Sequence, residues 1–192
     1  MKVLVTETLA PAGLELLESC AEVTVRLNPT PDELLALVGD YDALVVRSAT
    51  RVSADVLAAG TRLQVVGRAG TGVDNIDVDA ATRRGVVVVN APGGNTIAVA
   101  EHTLALMLCM ARHITQADVS THAGRWDKKA LMGQELRGKV LGLVGLGRVG
   151  AAVASRAQSF EMRIVAYDPF VSVERAAQLN VGMVSLDELL AS

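Results

Sequence analysis

The chain has 192 residues, of which 51% are hydrophobic and 20% are charged. This predicts one large or two small globular domains with a substantial core. The formal net charge of −3 argues against a nucleic-acid partner, because such proteins carry a basic surface. The N-terminus leads into a predicted strand without a signal peptide, and the most apolar helix is short and charged. We therefore expect a cytoplasmic protein without a membrane partner.

Residues 1–95 alternate between strand and helix patterns. Strands are predicted at 2–6, 22–27, 43–46, 63–67 and 86–90, and helices at 11–19, from 31 onwards, at 53–59 and at 78–84. Such alternation is typical of an α/β fold with a parallel sheet covered on both faces. The apolar runs 43–46 and 86–89 fit strands that are buried on both sides. We predict a compact flavodoxin-like lobe over 1–95.

Arginines follow two of these strands. Parallel sheets bind ligands beyond the carboxyl ends of their strands, which puts Arg47, Ser48 and the glycine-rich stretch 68–72 on the ligand side. A guanidinium group forms a planar fork that suits a carboxylate or a phosphate. Arg47 and Arg68 could therefore hold an anionic substrate, although surface ion pairs are the alternative.

A turn-rich break at 90–96 is a plausible hinge. Asn95 or Thr96 is expected to cap a long helix that continues through Arg112 and is apolar on nearly every side. Such a helix should be buried between lobes or against another subunit. A polar connector follows, so we divide the chain into 1–95, a helix and connector at 96–139, and a second lobe at 140–192.

The second lobe opens with an apolar strand, a glycine turn and a helix pattern. Gly145 permits a tight turn, Gly147 lets a pyrophosphate approach the backbone, and Gly150 lets the helix pack closely on the strand. A second strand ends at Asp168, near the spacing expected for an acid that binds a ribose. The sequence thus predicts a dinucleotide site, and the alternative is a structural strand–turn–helix with a surface aspartate.

Several longer segments resemble those of the D-2-hydroxyacid dehydrogenase family. They are 47–50, 66–77, 126–136, 143–150 and 167–169. The resemblance covers the whole chain, and the 126–136 connector is most similar to the branch that acts on phosphoglycerate. It implies a flavodoxin-like substrate lobe followed by an incomplete Rossmann-type lobe that binds NAD.

The resemblance also implies roles for individual residues. The substrate's carboxylate or phosphate would be contacted by Arg47, Ser48 and Asn95, with Arg68 nearby. The nicotinamide side of the cofactor would lie near Thr71, the pyrophosphate on the backbone of Arg148 and Val149, and the adenosine ribose on Asp168. The charge of Asp168 would favour NAD over NADP.

The reaction implied by the resemblance is the NAD-dependent oxidation of 3-phospho-D-glycerate to 3-phosphohydroxypyruvate in serine biosynthesis. The family's catalytic arginine, glutamate and histidine would lie beyond Ser192, so we expect no catalytic residue, no metal ligand and no turnover in this chain alone. Two alternatives stay open: a hydroxyacid dehydrogenase of the glyoxylate or lactate type, and a non-catalytic flavodoxin-like structural module.

A lobe with three predicted strands after residue 139 would leave an open sheet edge and an uncovered apolar face. We therefore expect residues beyond 95 to be partly ordered, exchanged between chains, or stabilised in a homodimer through the 96–112 helix.

Overall fold

The computed structural model describes residues 1–192, which form two compact units. The first unit is Met1–Gly94 and the second is Asn95–Ser192. All strand pairings in both units are parallel, so the predicted α/β class is confirmed.

The first unit contains a five-stranded sheet in the order β2-β1-β3-β4-β5, which is the flavodoxin-like order. Its strands are β1 (Lys2–Val5), β2 (Glu22–Val25), β3 (Ala43–Val46), β4 (Val65–Arg68) and β5 (Val87–Asn90). Its helices are α1 (Pro11–Glu18), α2 (Pro31–Leu37), α3 (Ala54–Ala59) and α4 (Val78–Arg83), with a 3₁₀ turn at Val38–Asp40.

The starts of three of these helices are fixed by side-chain caps, as the sequence predicts for α2. Thr30 and Glu33 form a reciprocal capping box at α2, while Ser53 and Asp77 cap α3 and α4. Each cap satisfies an N–H that has no partner within the helix.

Burial differs between the central and the edge strands. In β3, Leu44 and Val46 are fully buried, in agreement with the prediction. In β5 the prediction of burial on both sides is wrong, because the side chains of Val87 and Val89 are 58% and 48% exposed. β5 is an edge strand, and in this structure one of its faces is not covered.

The second unit contains a three-stranded sheet in the order β6-β7-β8, which matches one half of the Rossmann order. Its strands are β6 (Val140–Val144), β7 (Arg163–Tyr167) and β8 (Gly182–Met183). Its helices are α5 (Thr96–Ala111), α6 (Ile114–His122), α7 (Arg148–Ala157), α8 (Val173–Gln178) and α9 (Leu186–Ala191), with a 3₁₀ turn at Gln158–Phe160. In this unit α5, α7 and the sheet share one apolar core, and the predicted partial order or exchange between chains stays a prediction.

The long apolar helix departs from the prediction in two respects. It ends at Ala111, and a left-handed residue, His113, separates it from α6, which the sequence did not predict. Within the chain only Ala100 and Leu104 of α5 are buried, and the predicted burial of the helix against another subunit stays a prediction. No single helix is long and apolar enough to cross a membrane. The pair α5 and α6, which is bent by 64°, would be long and apolar enough when the two are taken together, by length and composition alone.

Candidate functional site

The glycine turn lies where β6 ends and α7 begins. Gly145 has a φ of +99°, a conformation that side chains rarely adopt. A Cβ on Gly150 would collide with the carbonyl oxygen of Gly145, so this turn of α7 can approach the strand only without a side chain. A Cβ on Gly147 would meet no atom within 4 Å. The predicted geometric roles of Gly145 and Gly150 are confirmed, while the role of Gly147 in the approach of a pyrophosphate stays a prediction.

Asp168 lies beside this turn, directly after β7. Its Oδ2 accepts a hydrogen bond from the N–H of Leu146 at 2.8 Å, and its Oδ1 accepts one from Phe170 at 2.8 Å. These backbone hydrogen bonds, that from Leu146 first, hold the pKa of Asp168 below its usual value. The carboxylate is therefore ionised at neutral pH, at the same sheet edge as the glycines.

The arrangement fits a dinucleotide. The space beside Gly147 is open, and α7 begins there at Arg148. The first N–H groups of a helix have no partner within the helix and attract anions. An ionised carboxylate lies at the neighbouring strand end, where a ribose would be bound.

In the first unit, the turn at 47–50 follows β3 and carries two predicted substrate ligands. Arg47 and Ser48 are both exposed. The guanidinium of Arg47 donates to the carbonyl of Thr8 at 3.3 Å, which leaves most of its donors in solvent. The turn is thus able to bind an anion.

Arg68 is held more tightly than its predicted role suggests. Its Nε donates to the carbonyl of Arg47 at 3.2 Å, and its guanidinium forms an ion pair with Asp74 at 3.2 Å. Only 10% of its side chain is exposed, and a Cβ on Gly72 would lie 2.8 Å from the guanidinium. In this structure Arg68 organises the loop that surrounds it, and its contact with the substrate stays a prediction.

Two other predicted residues lie in separate units. Thr71 is exposed in the first unit, where its carbonyl accepts a hydrogen bond from the Asn90 amide at 2.6 Å. Asn95 begins the second unit and occupies the N-cap position of α5 without a side-chain capping bond. Their predicted contacts with cofactor and substrate are untested.

Sequence reasoning missed two residues that hold the 47–50 turn. The carboxylate of Glu7 accepts hydrogen bonds from three backbone N–H groups of the turn, and the amide of Asn75 donates to two of its carbonyls. The only signal for Glu7 in the sequence was its position two residues after β1, at the ligand edge of the sheet. Asn75 lies within the segment that carries the family resemblance, but nothing in the sequence indicates its partners.

The comparisons with known proteins identify the class. Residues 3–192 match the family model described as D-isomer specific 2-hydroxyacid dehydrogenase, catalytic domain. The chain therefore belongs to the D-isomer-specific 2-hydroxyacid dehydrogenase family, which confirms the resemblance seen in the sequence.

Within this family, the chain is similar to D-3-phosphoglycerate dehydrogenases of several organisms. It is 54% identical over 193 residues to D-3-phosphoglycerate dehydrogenase of Archaeoglobus fulgidus, covering 100% of this chain and 37% of that protein. It is 47% identical over 189 residues to D-3-phosphoglycerate dehydrogenase of Homo sapiens, covering 98% of this chain and 36% of that protein. The chain thus spans about a third of the length of these relatives.

Solved structures agree with the fold. The TT0316 protein from Thermus thermophilus matches with a TM-score of 0.89 at 38% identity, over 99% of this chain and 61% of that one. A glyoxylate reductase from Paecilomyes thermophila matches with a TM-score of 0.86 at 27% identity, over 99% of this chain and 62% of that one.

Proposed function

We propose that this chain supplies the substrate-binding and NAD-binding surfaces of a D-3-phosphoglycerate dehydrogenase. The observation that carries the cofactor assignment is the Asp168 carboxylate, which lies beside the open glycine turn and is hydrogen bonded to the N–H of Leu146. The substrate assignment is supported by the exposed Arg47 and by the similarity to phosphoglycerate dehydrogenases.

The second unit binds the cofactor. The N-terminus of α7 would hold the pyrophosphate through Gly145, Gly147, Gly150 and the backbone of Arg148 and Val149. The Asp168 carboxylate would accept hydrogen bonds from the adenosine ribose and would repel the 2′-phosphate of NADP. Bound NAD supplies the acceptor for the hydride that leaves the hydroxyacid.

The first unit binds the substrate. The Arg47 fork suits the phosphate or carboxylate of 3-phosphoglycerate, and Ser48 adds a hydroxyl donor. Arg68 completes the substrate contacts proposed for this unit, whereas the roles of Asn95 and Thr71 rest on the family resemblance alone. We expect binding without turnover from this chain, because its three histidines all lie between positions 102 and 122 and none follows a strand.

Calorimetric titration tests the cofactor assignment. Wild-type chain should bind NAD more tightly than NADP, and Asp168→Asn should reduce that preference about tenfold, since the charge that repels the 2′-phosphate is lost. Asp187→Asn, an exposed aspartate in the first turn of α9, is the control and should keep the wild-type preference. The absence of heat with either nucleotide would favour the structural-module alternative.

The substrate class is tested by comparing ligands. NMR titration should show tighter binding of 3-phosphoglycerate than of lactate or glyoxylate, and Arg47→Ala should remove the difference. Equal binding of all three ligands to the wild-type chain would instead favour the glyoxylate or lactate type.

We further propose a homodimer formed through α5, with domain exchange as one possible form. Ile97, Leu106 and Met110 of this helix are exposed apolar side chains, and exposed apolar patches mark interaction surfaces. In sedimentation velocity, Met110→Glu should yield monomers, whereas Leu16→Glu on α1 should not; these two side chains are 78% and 71% exposed. The cytoplasmic location stays a prediction that cell fractionation tests.

A further inference from the structure

One carboxylate beneath the 47–50 turn has no part in the proposed binding contacts. Glu7 follows β1 and is only 8% exposed. Its Oε1 accepts hydrogen bonds from the N–H groups of Arg47 at 2.7 Å and Thr50 at 2.9 Å, and its Oε2 accepts one from Ala49 at 3.1 Å. Burial raises the pKa of Glu7, but the hydrogen bonds from Thr50, Arg47 and Ala49 together lower it below its usual value.

The opposite side of the turn is held by Asn75. Its amide nitrogen donates to the carbonyl of Arg47 at 2.8 Å and to that of Thr50 at 2.6 Å. The hydroxyl groups of Thr6 and Thr50 add a buried hydrogen bond of 2.9 Å. A carboxylate therefore binds the donors of the turn, and an amide binds its acceptors.

This arrangement determines which groups can meet a ligand. Three backbone N–H groups of the turn are occupied by Glu7, and the N–H of Ser48 is not among them. An anion cannot displace Glu7 from these donors without exposing a buried charge to repulsion. It can instead approach the exposed guanidinium of Arg47 together with the N–H and hydroxyl of Ser48.

We propose that Glu7 is a positioning residue for anion recognition, which presents Arg47 and Ser48 to the phosphate or carboxylate of the substrate. It acts through the backbone of the turn and does not touch the ligand. This inference rests on the proposed substrate-binding role of the turn.

The test uses the full chain and NMR titration with 3-phosphoglycerate. In Glu7→Gln, the amide can keep the bonds to Arg47 and Thr50 but turns an NH₂ group towards the N–H of Ala49. We expect an affinity loss of about tenfold, with shifted amide resonances for Ser48 and Ala49, as removal of one charge-assisted hydrogen bond implies.

Asp42→Asn is the matched control. Asp42 precedes β3 at the opposite end of the same sheet. It accepts hydrogen bonds from the N–H of Lys2 at 2.7 Å and from the guanidinium of Arg62 at 2.9 Å. The control loses the charge that assists the bonds from Lys2 and Arg62 and should unfold at a reduced urea concentration, yet it should bind the ligand like the wild type. This separates positioning of the turn from general loss of stability.

The outcomes distinguish the two proposals. If Glu7→Gln binds within twofold of the control while Arg47→Ala loses binding, the positioning role is wrong and the proposed substrate turn stands. If Arg47→Ala binds like the wild type, the substrate turn itself is wrong. Should Glu7→Gln fail to fold, Glu7→Asp, which keeps the charge on a shorter side chain, must still weaken binding at least threefold or the inference is overturned.

Discussion

Gly147 and Gly150 lie in the same turn but should affect different properties. Alanine at Gly150 should mainly lower stability, and alanine at Gly147 should mainly lower the affinity for NAD. A Cβ at Gly150 would strike the Gly145 carbonyl oxygen, so Gly150→Ala should lower the free energy of unfolding by about 1–3 kcal/mol. A Cβ at Gly147 meets open space, and its φ of −71° is available to alanine. Gly147→Ala should therefore cost less than about 1 kcal/mol.

For NAD binding, Gly147→Ala should have the larger effect of the two substitutions, because its methyl group occupies the space proposed for the pyrophosphate. Calorimetry should show NAD affinity reduced about tenfold or more in folded Gly147→Ala. Unchanged NAD affinity in this variant would contradict the proposed position of the pyrophosphate, whatever its stability.

Asp168 should make stability depend on acidic pH. Its pKa in the folded chain is lowered, chiefly by the backbone hydrogen bond from Leu146. Its contribution is therefore complete above the unfolded pKa of about 3.9 and is lost as the pH falls through the lower folded value. Urea unfolding between pH 6 and 2.5 should show a shallower acid loss for Asp168→Asn than for wild type. Parallel curves would mean that the carboxylate contributes nothing to stability.

The residues that sequence alone could identify are those whose chemistry is local. Gly145 and Gly150 can be predicted because a tight turn and a close helix approach require glycine at set spacings. Glu7 could not be predicted, because its partners lie 40 to 43 positions away and only the pairing of β1 with β3 brings them together. The ion pair between Arg68 and Asp74 was also missed, although the two residues are close in sequence, because the conformation of the loop determines whether they meet.

At the scale of elements, the capping box at α2 offers a local test. Thr30 accepts a hydrogen bond from the N–H of Glu33, whose carboxylate accepts one from the N–H of Thr30. Thr30→Ala should reduce the free energy of unfolding by about 1 kcal/mol, whereas Thr30→Ser keeps the acceptor and should stay near wild type. Equal urea midpoints for the alanine and serine variants would contradict the stabilising role of the cap.

Helices and strands could be predicted where caps and apolar runs agreed. The burial of a strand could not be predicted, because it depends on the position of the strand in the sheet. β3 and β5 have similar apolar sequences, but β3 is central and buried whereas β5 lies at an edge with two valines exposed. The bend at His113 also escaped prediction, because a left-handed φ of 53° at a non-glycine residue has no clear sequence signal.

At the scale of the whole molecule, the sequence supports the alternation of strands and helices but not the order of the strands. The order β2-β1-β3-β4-β5 arises from the parallel pairings of β1 with both β2 and β3. Flavodoxin-like topology was predictable only through the family resemblance. Three apolar clusters follow from this topology, two on the first sheet and one in the second unit, because each sheet is packed against helices of its own unit.

Separate cores predict that the two units respond separately to core substitutions and to NAD. Leu44→Ala in β3 and Ile164→Ala in β7 each remove a buried side chain, and each should lower the stability of its own unit by about 2–5 kcal/mol. NAD at about 100 times its dissociation constant should add about 2.7 kcal/mol to the second unit alone. Hydrogen exchange resolved by residue measures both effects in one experiment. The contrary outcome is that Leu44→Ala accelerates exchange equally in β3 and β7, or that NAD protects β3 as strongly as β7. Either result would mean that the two units unfold as one cooperative body and are not separate in stability.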